Sequence, residues 1–169
     1  MVGRTFLRAL PLLITGFLIP GSAWAVYPPP IKDDGKFFSR EGLDKANLKI
    51  RQIYEKYKKD VIIETMSGLT AEQDKKLAED GKTPFFARMA REKSMNQGLN
   101  GIYIMILRKP QHLQVHMDPE TQKKMFTVAS RKQLIEKISE QFRDGSFDAG
   151  LLEGLESIES TLKSISTVK

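Results

Sequence analysis

Residues 98–118, GLNGIYIMILRKPQHLQVHMD, predict two β-strands joined by a tight turn. In the first strand, 102–107, apolar side chains point to both faces, because successive residues alternate across a strand. Such a strand needs cover on both sides, so we expect it inside a layered sheet. The second strand, 112–117, alternates apolar and polar residues, which is typical of a half-exposed strand. Pro110 favours a turn between them, so the stretch predicts an antiparallel hairpin with a central first strand and a more peripheral second one.

The first 25 residues have the features of an export signal. Arg4 and Arg8 form a basic start, residues 7–19 are mostly apolar, and Ala23-Trp24-Ala25 places small residues around a cleavage point. An uncleaved membrane anchor is the alternative, but the apolar run is shorter than the roughly 20 residues that a spanning helix needs. We therefore expect cleavage after Ala25 and an exported protein, periplasmic or secreted.

The composition of the chain argues against several classes of function. The chain has 169 residues, no cysteine and a formal net charge of +6, to which Arg4 and Arg8 contribute. Without cysteine it can form neither a disulfide nor a lipidated-cysteine anchor. Basic and acidic residues alternate along most of the chain, and 56–59 is the densest basic run, so we expect no nucleic-acid binding. No stretch after the signal is apolar enough to span a bilayer, so the mature chain is expected to have no transmembrane segment.

The mature chain has the length of one domain. Residues 26–38 contain consecutive prolines and predict an extended N-terminal segment, and residues 39–165 predict the domain itself. Capping patterns predict helices that start near Ser39, Thr70, Thr83, Asp118 and Ser130, a last helix that starts near Phe147, and a strand at 61–66. A strand, a helical crossover and a second strand form a βαβ unit with parallel strands. We thus expect an α/β fold: a small mixed β-sheet, built from the βαβ unit plus the hairpin, with helices on both faces.

The predicted hairpin brings polar residues to one end of the sheet. Its second strand ends at Asp118 and Glu120, beside the start of the first strand, where Asn100 lies. Carboxylate and amide oxygens are the hard ligands that calcium and magnesium take. Alternatively, Asp118 only caps a helix and Asn100-Gly101 only makes a turn. The sequence leaves both interpretations open.

Several motifs together resemble the TPM domain family. They are Asp33-Asp34 ahead of the first helix, Asn100-Gly101 leading into IYIMIL, the strand HLQVHM, and FRDGSFDAGL at residues 142–151. The family includes thylakoid acid-phosphatase-like proteins and exported bacterial relatives, and the resemblance spans most of the mature chain.

The resemblance implies a secreted or lumenal α/β domain with an acidic cleft that binds calcium or magnesium. Carried onto this sequence, it gives a candidate metal set of Asp33, Asp34, Asn100, Asp118 and Glu120. The chain departs from the family pattern in two places. Leu99 stands where an acidic residue often precedes Asn-Gly, and Asp118-Pro119-Glu120 replaces a glycine-rich turn. The loss of one carboxylate weakens a metal site, because a hard cation needs several oxygens to replace its water.

Two functions follow as hypotheses. The first is a non-catalytic accessory or binding module of the cell envelope, which binds an envelope or membrane-complex protein and holds a divalent ion weakly. The alternative is a metal-dependent phosphatase, in which the ion polarises a phosphoryl oxygen and orients water. Because of the departure at Leu99, the first is preferred.

Overall fold

The computed structural model describes residues 27–166, and the predicted signal at 1–25 lies outside them. Within residues 27–166 the strands form one four-stranded sheet in the order β1-β2-β3-β4. The strands are β1 (Lys32–Asp33), β2 (Asp60–Met66), β3 (Gly101–Leu107) and β4 (His112–Met117). The first three strands are parallel and β4 is antiparallel to β3, so the predicted βαβ unit and hairpin are both confirmed.

Helices connect and cover these strands. They are α1 (Arg40–Tyr57), α2 (Ala71–Asp80), α3 (Lys82–Asn96), α4 (Pro119–Lys124), α5 (Val128–Arg143) and α6 (Phe147–Ser166). The crossover from β2 to β3 consists of α2 and α3. Among the residues described, no helix has the length together with the apolar character that crossing a membrane requires.

The core has two parts, one on each face of the sheet. Ile102, Ile104 and Ile106 of β3 point to the larger part, which α1, α5 and α6 cover. Tyr103, Met105 and Leu107 of the same strand point to the smaller part, which α3 covers with Phe85, Phe86, Met89 and Ala90. Every residue of β3 is buried, as a strand covered on both faces must be. The α/β fold with helices on both faces is therefore confirmed.

The hairpin has the predicted register. Ile102 pairs with Met117 at one end and Leu107 pairs with His112 at the other, and β4 lies at the edge of the sheet. Pro110 lies in the turn between the strands. The apolar face of β4 buries Val115 and Met117 in the larger part of the core.

Two predicted helix starts differ from the structure, and one strand pairing was not predicted. Lys32 and Asp33, within the segment predicted as extended, pair with β2 as a short edge strand. Helix α3 begins at Lys82, before the predicted cap Thr83. Helix α5 begins at Val128, because Thr127 and not Ser130 is the N-cap: the Thr127 hydroxyl accepts a hydrogen bond from the Ser130 backbone N–H.

Candidate functional site

The predicted metal residues lie at two opposite ends of the sheet. Asp33 is level with Thr65 near the end of β2, whereas Asn100 precedes Gly101, which is level with Asp60 at the start of β2. At about 3.3 Å per strand residue, the two levels are about 17 Å apart. Asp33 and Asp34 therefore cannot share one ion with Asn100, Asp118 and Glu120.

Asp33 has a structural role in the turn that leads to α1. Its Oδ1 accepts hydrogen bonds from the backbone N–H of Phe37 and from the Thr65 hydroxyl, and its Oδ2 accepts one from the N–H of Phe38. The carboxylate thus joins β1, β2 and the segment before α1. Its neighbour Asp34 is exposed and forms an ion pair with Lys32 at 3.2 Å.

At the opposite end, the structure brings the other predicted residues together. We call Lys59, Asp60, Asn100, Asp118 and Glu120 the N-edge cluster. The Asn100 N–H donates to Asp60 Oδ2 at 2.8 Å. The Asp118 N–H donates to the carbonyl of Gly101, next to Asn100. The juxtaposition predicted from the hairpin is therefore present.

Within the N-edge cluster, Asp118 caps α4. Its Oδ1 accepts hydrogen bonds from the N–H groups of Glu120 and Thr121, at 2.9 and 3.1 Å. Its Oδ2 is buried and has no hydrogen-bond partner among the described residues. Glu120 is exposed and forms an ion pair with Lys124 one helical turn later. The structure therefore confirms that Asp118 is the N-cap of α4.

One member of the N-edge cluster, Lys59, carries a positive charge. Lys59 is 8% exposed, and its Nζ donates to Asn100 Oδ1 at 2.7 Å. The amide oxygen that a divalent ion would need is therefore already engaged by an ammonium group. Among residues 27–166, no group of three or more His, Cys, Asp or Glu side chains is arranged to hold a metal ion. The donor set of the N-edge cluster, as it stands, does not fit calcium or magnesium.

The other end of the sheet carries a concave surface. A cleft of about 400 Å³ opens there, at the ends of β3 and α5 and the starts of β4 and α6. We call it the C-edge cleft and define it by Phe37, Arg108, His112, Phe142, Arg143 and Phe147, which line it. In sheets with parallel strands, ligands bind outside the carboxyl ends of the strands, which is where this cleft lies.

The aromatic wall of the cleft comes from two distant segments. Phe37 stacks on Phe142 with ring centroids 6.1 Å apart, and Phe147 meets both rings edge-on at 5.3 and 5.1 Å. All three side chains are only half-buried. Gly150 permits this packing, because a Cβ at that position would lie 2.8 Å from the Phe142 ring. The motif at 142–151 thus forms one side of the cleft.

Asp148, in the same motif, attaches this wall to α1. Its Oδ1 accepts a hydrogen bond from the Ser39 N–H at 3.0 Å, and its Oδ2 accepts one from the Ser39 hydroxyl. Ser39 in turn caps α1 through the N–H of Gly42. The start of α1 and the start of α6 are therefore held together beside the cleft.

Two guanidinium groups give the cleft its charge. The Arg108 guanidinium lies 4.3 Å from the centre of the Phe37 ring and donates to the carbonyls of Gly35 and Lys36. Arg143 is exposed and makes no ion pair or hydrogen bond with any residue of 27–166 through its side chain. Burial lowers the pKa of His112, so this side chain adds no charge at neutral pH. The arrangement can bind an anionic group next to apolar surface.

Sequence reasoning did not assign the C-edge cleft or Lys59 to a site. The aromatic residues were visible in the motif at 142–151, but nothing in their spacing placed Phe37 against Phe142, which is 105 positions away. Lys59 stood in the basic run 56–59, which predicts a solvated surface. The signal that could have indicated its burial is its position directly before the apolar strand β2.

Comparisons with known proteins agree with the fold. The sequence profile of the TPM domain matches residues 31–161. The solution structure of the N-terminal domain of a protein from P. gingivalis is similar, with 16% identity, a TM-score of 0.62, and coverage of 80% of this chain and 83% of that one. The solution structure of the BA42 protein from Bizionia argentinensis has 15% identity and a TM-score of 0.57, and covers 77% of this chain and 84% of that one. A comparison with curated proteins gave no match. Because the family profile covers most of the described chain, the protein belongs to the TPM domain family.

Proposed function

We propose that this protein is an exported, non-catalytic TPM-domain module of the cell envelope, which binds a partner protein through the C-edge cleft. The observation that carries the proposal is the cleft itself, where half-buried aromatic rings adjoin an exposed arginine without a partner among residues 27–166. Aromatic and arginine side chains are the types enriched where protein interfaces gain most of their binding energy.

The chemistry of the cleft indicates the kind of segment that it binds. A guanidinium group pairs with a carboxylate in two parallel hydrogen bonds, which fixes the orientation of the ligand. The Arg143 side chain has no hydrogen-bond or ion-pair partner among residues 27–166 and is available for such a pair, and Arg108 is held in place by Phe37 and two backbone carbonyls. The partner is therefore a protein segment with a carboxylate beside an apolar side chain, and the apolar side chain packs on the exposed faces of the Phe37, Phe142 and Phe147 rings.

The contacts of the carboxylates favour binding over phosphoryl transfer. Metal-assisted hydrolysis of a phosphoester needs carboxylates that are free to hold an ion close to the substrate. The Asp33 carboxylate is occupied by two backbone N–H groups and a hydroxyl, and Glu120 is paired with Lys124. These carboxylates also lie at opposite ends of the sheet.

Capture of the partner tests the proposal. The mature chain, starting at Val26, is immobilised and exposed to envelope extract as the wild type, as Arg143→Glu and as Arg51→Glu. Arg51 is an exposed residue of α1 that does not line the cleft, so its variant makes the same charge change elsewhere. We expect the wild type and Arg51→Glu to retain the same discrete protein, and Arg143→Glu to lose it. Equal retention by all three, or retention of nothing specific, would contradict the proposal.

Export and catalysis are each tested by a separate measurement. Cell fractionation followed by N-terminal sequencing should find the protein in the envelope fraction with Val26 as its first residue. Hydrolysis of p-nitrophenyl phosphate with magnesium, calcium or manganese should not exceed the rate of a buffer control. Metal-dependent turnover that disappears in Asp34→Ala or Glu120→Ala would instead support the phosphatase hypothesis.

A further inference from the structure

We propose that the ammonium group of Lys59 is the built-in cation of the N-edge cluster, so that the wild-type protein takes no divalent ion at this end of the sheet. The proposal concerns the end opposite the C-edge cleft and is independent of the binding function.

Lys59 is an unusual lysine because it is buried. Removing an ammonium group from water costs several kcal/mol unless charged or polar partners compensate, so buried lysines are rare without them. In this protein, Nζ donates to Asn100 Oδ1 at 2.7 Å. The Asn100 amide is itself fixed, since its Nδ2 donates to the Lys58 carbonyl at 3.3 Å. The amide oxygen is thus held where the ammonium group meets it.

Negative charge surrounds this contact. Asp60 is 1% exposed and accepts a hydrogen bond from the Asn100 N–H. Asp118 has a buried carboxylate oxygen without a hydrogen-bond partner among residues 27–166. Glu120, in the first turn of α4, adds a further carboxylate, which is paired with Lys124.

These contacts oppose the binding of a second cation. Calcium binds oxygen at about 2.3–2.6 Å, so an ion that used Asn100 Oδ1 as a ligand would have to take this oxygen from the lysine. A divalent ion a few ångströms from a buried ammonium group would also be repelled strongly, because screening by water is weak there. Binding would require Lys59 to leave the cluster.

Lys59→Met tests the proposal, because methionine keeps much of the length of the side chain and removes its charge. Calcium and magnesium are titrated to millimolar concentration into the ¹⁵N-labelled mature chain, and backbone amide shifts are followed. We expect no saturable shift at Asn100, Asp118 or Glu120 in the wild type. In Lys59→Met we expect saturable shifts at these three amides, which the double variant Lys59→Met/Asn100→Ala weakens at least tenfold in affinity. Lys45→Met, on the exposed face of α1, is the matched control and should behave as the wild type.

Two outcomes of the titration would overturn the proposal: saturable binding at these amides in the wild type, or a folded Lys59→Met variant without saturable binding. Should Lys59→Met fail to fold, the wild type alone provides a second measurement. The side-chain ammonium signal of Lys59 should be visible in a ¹H–¹⁵N spectrum, because burial slows exchange of its protons with water, and calcium should leave it unchanged. A Lys59 ammonium signal that exchanges as fast as those of exposed lysines would overturn the proposal without any variant.

Discussion

Asp33 and Asp118 show that a carboxylate in a sequence motif can serve the backbone around it as a hydrogen-bond acceptor. Both are short acidic side chains next to turns, and both accept hydrogen bonds from backbone N–H groups at the start of the following segment. The sequence allowed a capping interpretation for Asp118, and the structure fulfils it. For Asp33 the decisive partner is Thr65, on a strand whose pairing with β1 the sequence did not predict.

Gly101 lies where two strands come into closest contact. A Cβ at this position would lie 2.1 Å from the carbonyl oxygen of Asp60 and 2.6 Å from its nitrogen. Since both are backbone atoms, neither can move without shifting β2. We expect Gly101→Ala to lower the free energy of unfolding by about 3 kcal/mol, at the upper end of overpacking costs, as measured by urea denaturation.

Gly68→Ala is the control for that measurement. A Cβ at Gly68 would have only the Lys109 carbonyl nearby, at 3.5 Å, which is an ordinary contact. We expect Gly68→Ala to change the free energy of unfolding by no more than about 1 kcal/mol. If both variants unfold at the same urea concentration as the wild type, the close approach of β2 and β3 at Asp60 is wrong.

Glu64 makes stability depend on pH. Burial alone would raise the pKa of Glu64, but hydrogen bonds from Lys93, Tyr103 and Gln97 outweigh burial and hold the pKa below its ordinary value of 4.5. A carboxyl group with a lowered pKa in the folded state stabilises the fold above its unfolded-state pKa, and this contribution is lost as pH falls through the folded-state pKa.

We therefore expect Glu64→Gln to cost about 1–3 kcal/mol at pH 7, measured by urea denaturation, because it weakens hydrogen bonds to a charged, largely buried group. The difference between wild type and Glu64→Gln should shrink as pH falls below 4.5, because the carboxyl group is protonated first in the unfolded chain and then, at its lowered pKa, in the folded protein. A difference that stays constant between pH 7 and pH 3 would show that the charge of Glu64 contributes nothing.

At the scale of secondary-structure elements, capping patterns predicted three of the helix starts correctly. Ser39, Thr70 and Asp118 cap the helices that the sequence assigned to them. Ser130 is not the N-cap, because Thr127, three positions earlier, is an equally good capping residue. Phe126, which directly precedes Thr127, is buried in the core. Local patterns do not distinguish two such candidates, and tertiary packing selects one.

The connection between α1 and α6 depends on Asp148. This carboxylate accepts two hydrogen bonds from Ser39 at the start of α1, from a position 109 residues away along the chain. Removing such a helix-terminal acceptor costs about 1–2 kcal/mol. We expect Asp148→Ala to lower the unfolding free energy by that amount in thermal or urea denaturation, and amide exchange to speed up at the first turn of α1.

Asp144→Ala provides the comparison for Asp148. Asp144 is exposed in the turn that precedes α6, and among residues 27–166 its side chain forms no hydrogen bond or ion pair with the start of α1. Its substitution should leave both the unfolding free energy and the exchange at α1 nearly unchanged. Equal losses from the two substitutions would contradict a specific role for Asp148.

At the scale of the whole molecule, the order of the strands determines which residues lie close enough together to form a site. The hairpin at 98–118 predicted the central strand, the edge strand and the meeting of Asn100 with Asp118, because all of these follow from local alternation and one turn. Sequence patterns did not predict that Asp33 lies at the other end, since that depends on the pairing of β1 with β2. Nor did they predict the C-edge cleft, which Phe37 and Phe142 form only after the chain has folded.

Site-specific photo-crosslinking in cells tests the central claim, that the C-edge cleft binds the partner, most directly. A photoreactive phenylalanine analogue replaces Gln111, an exposed residue lining the cleft, or Lys75, an exposed residue of α2 that does not line it. We expect a single adduct of defined mass from position 111 in the envelope fraction and none from position 75. No adduct at position 111, or the same adduct from both positions, would contradict the account.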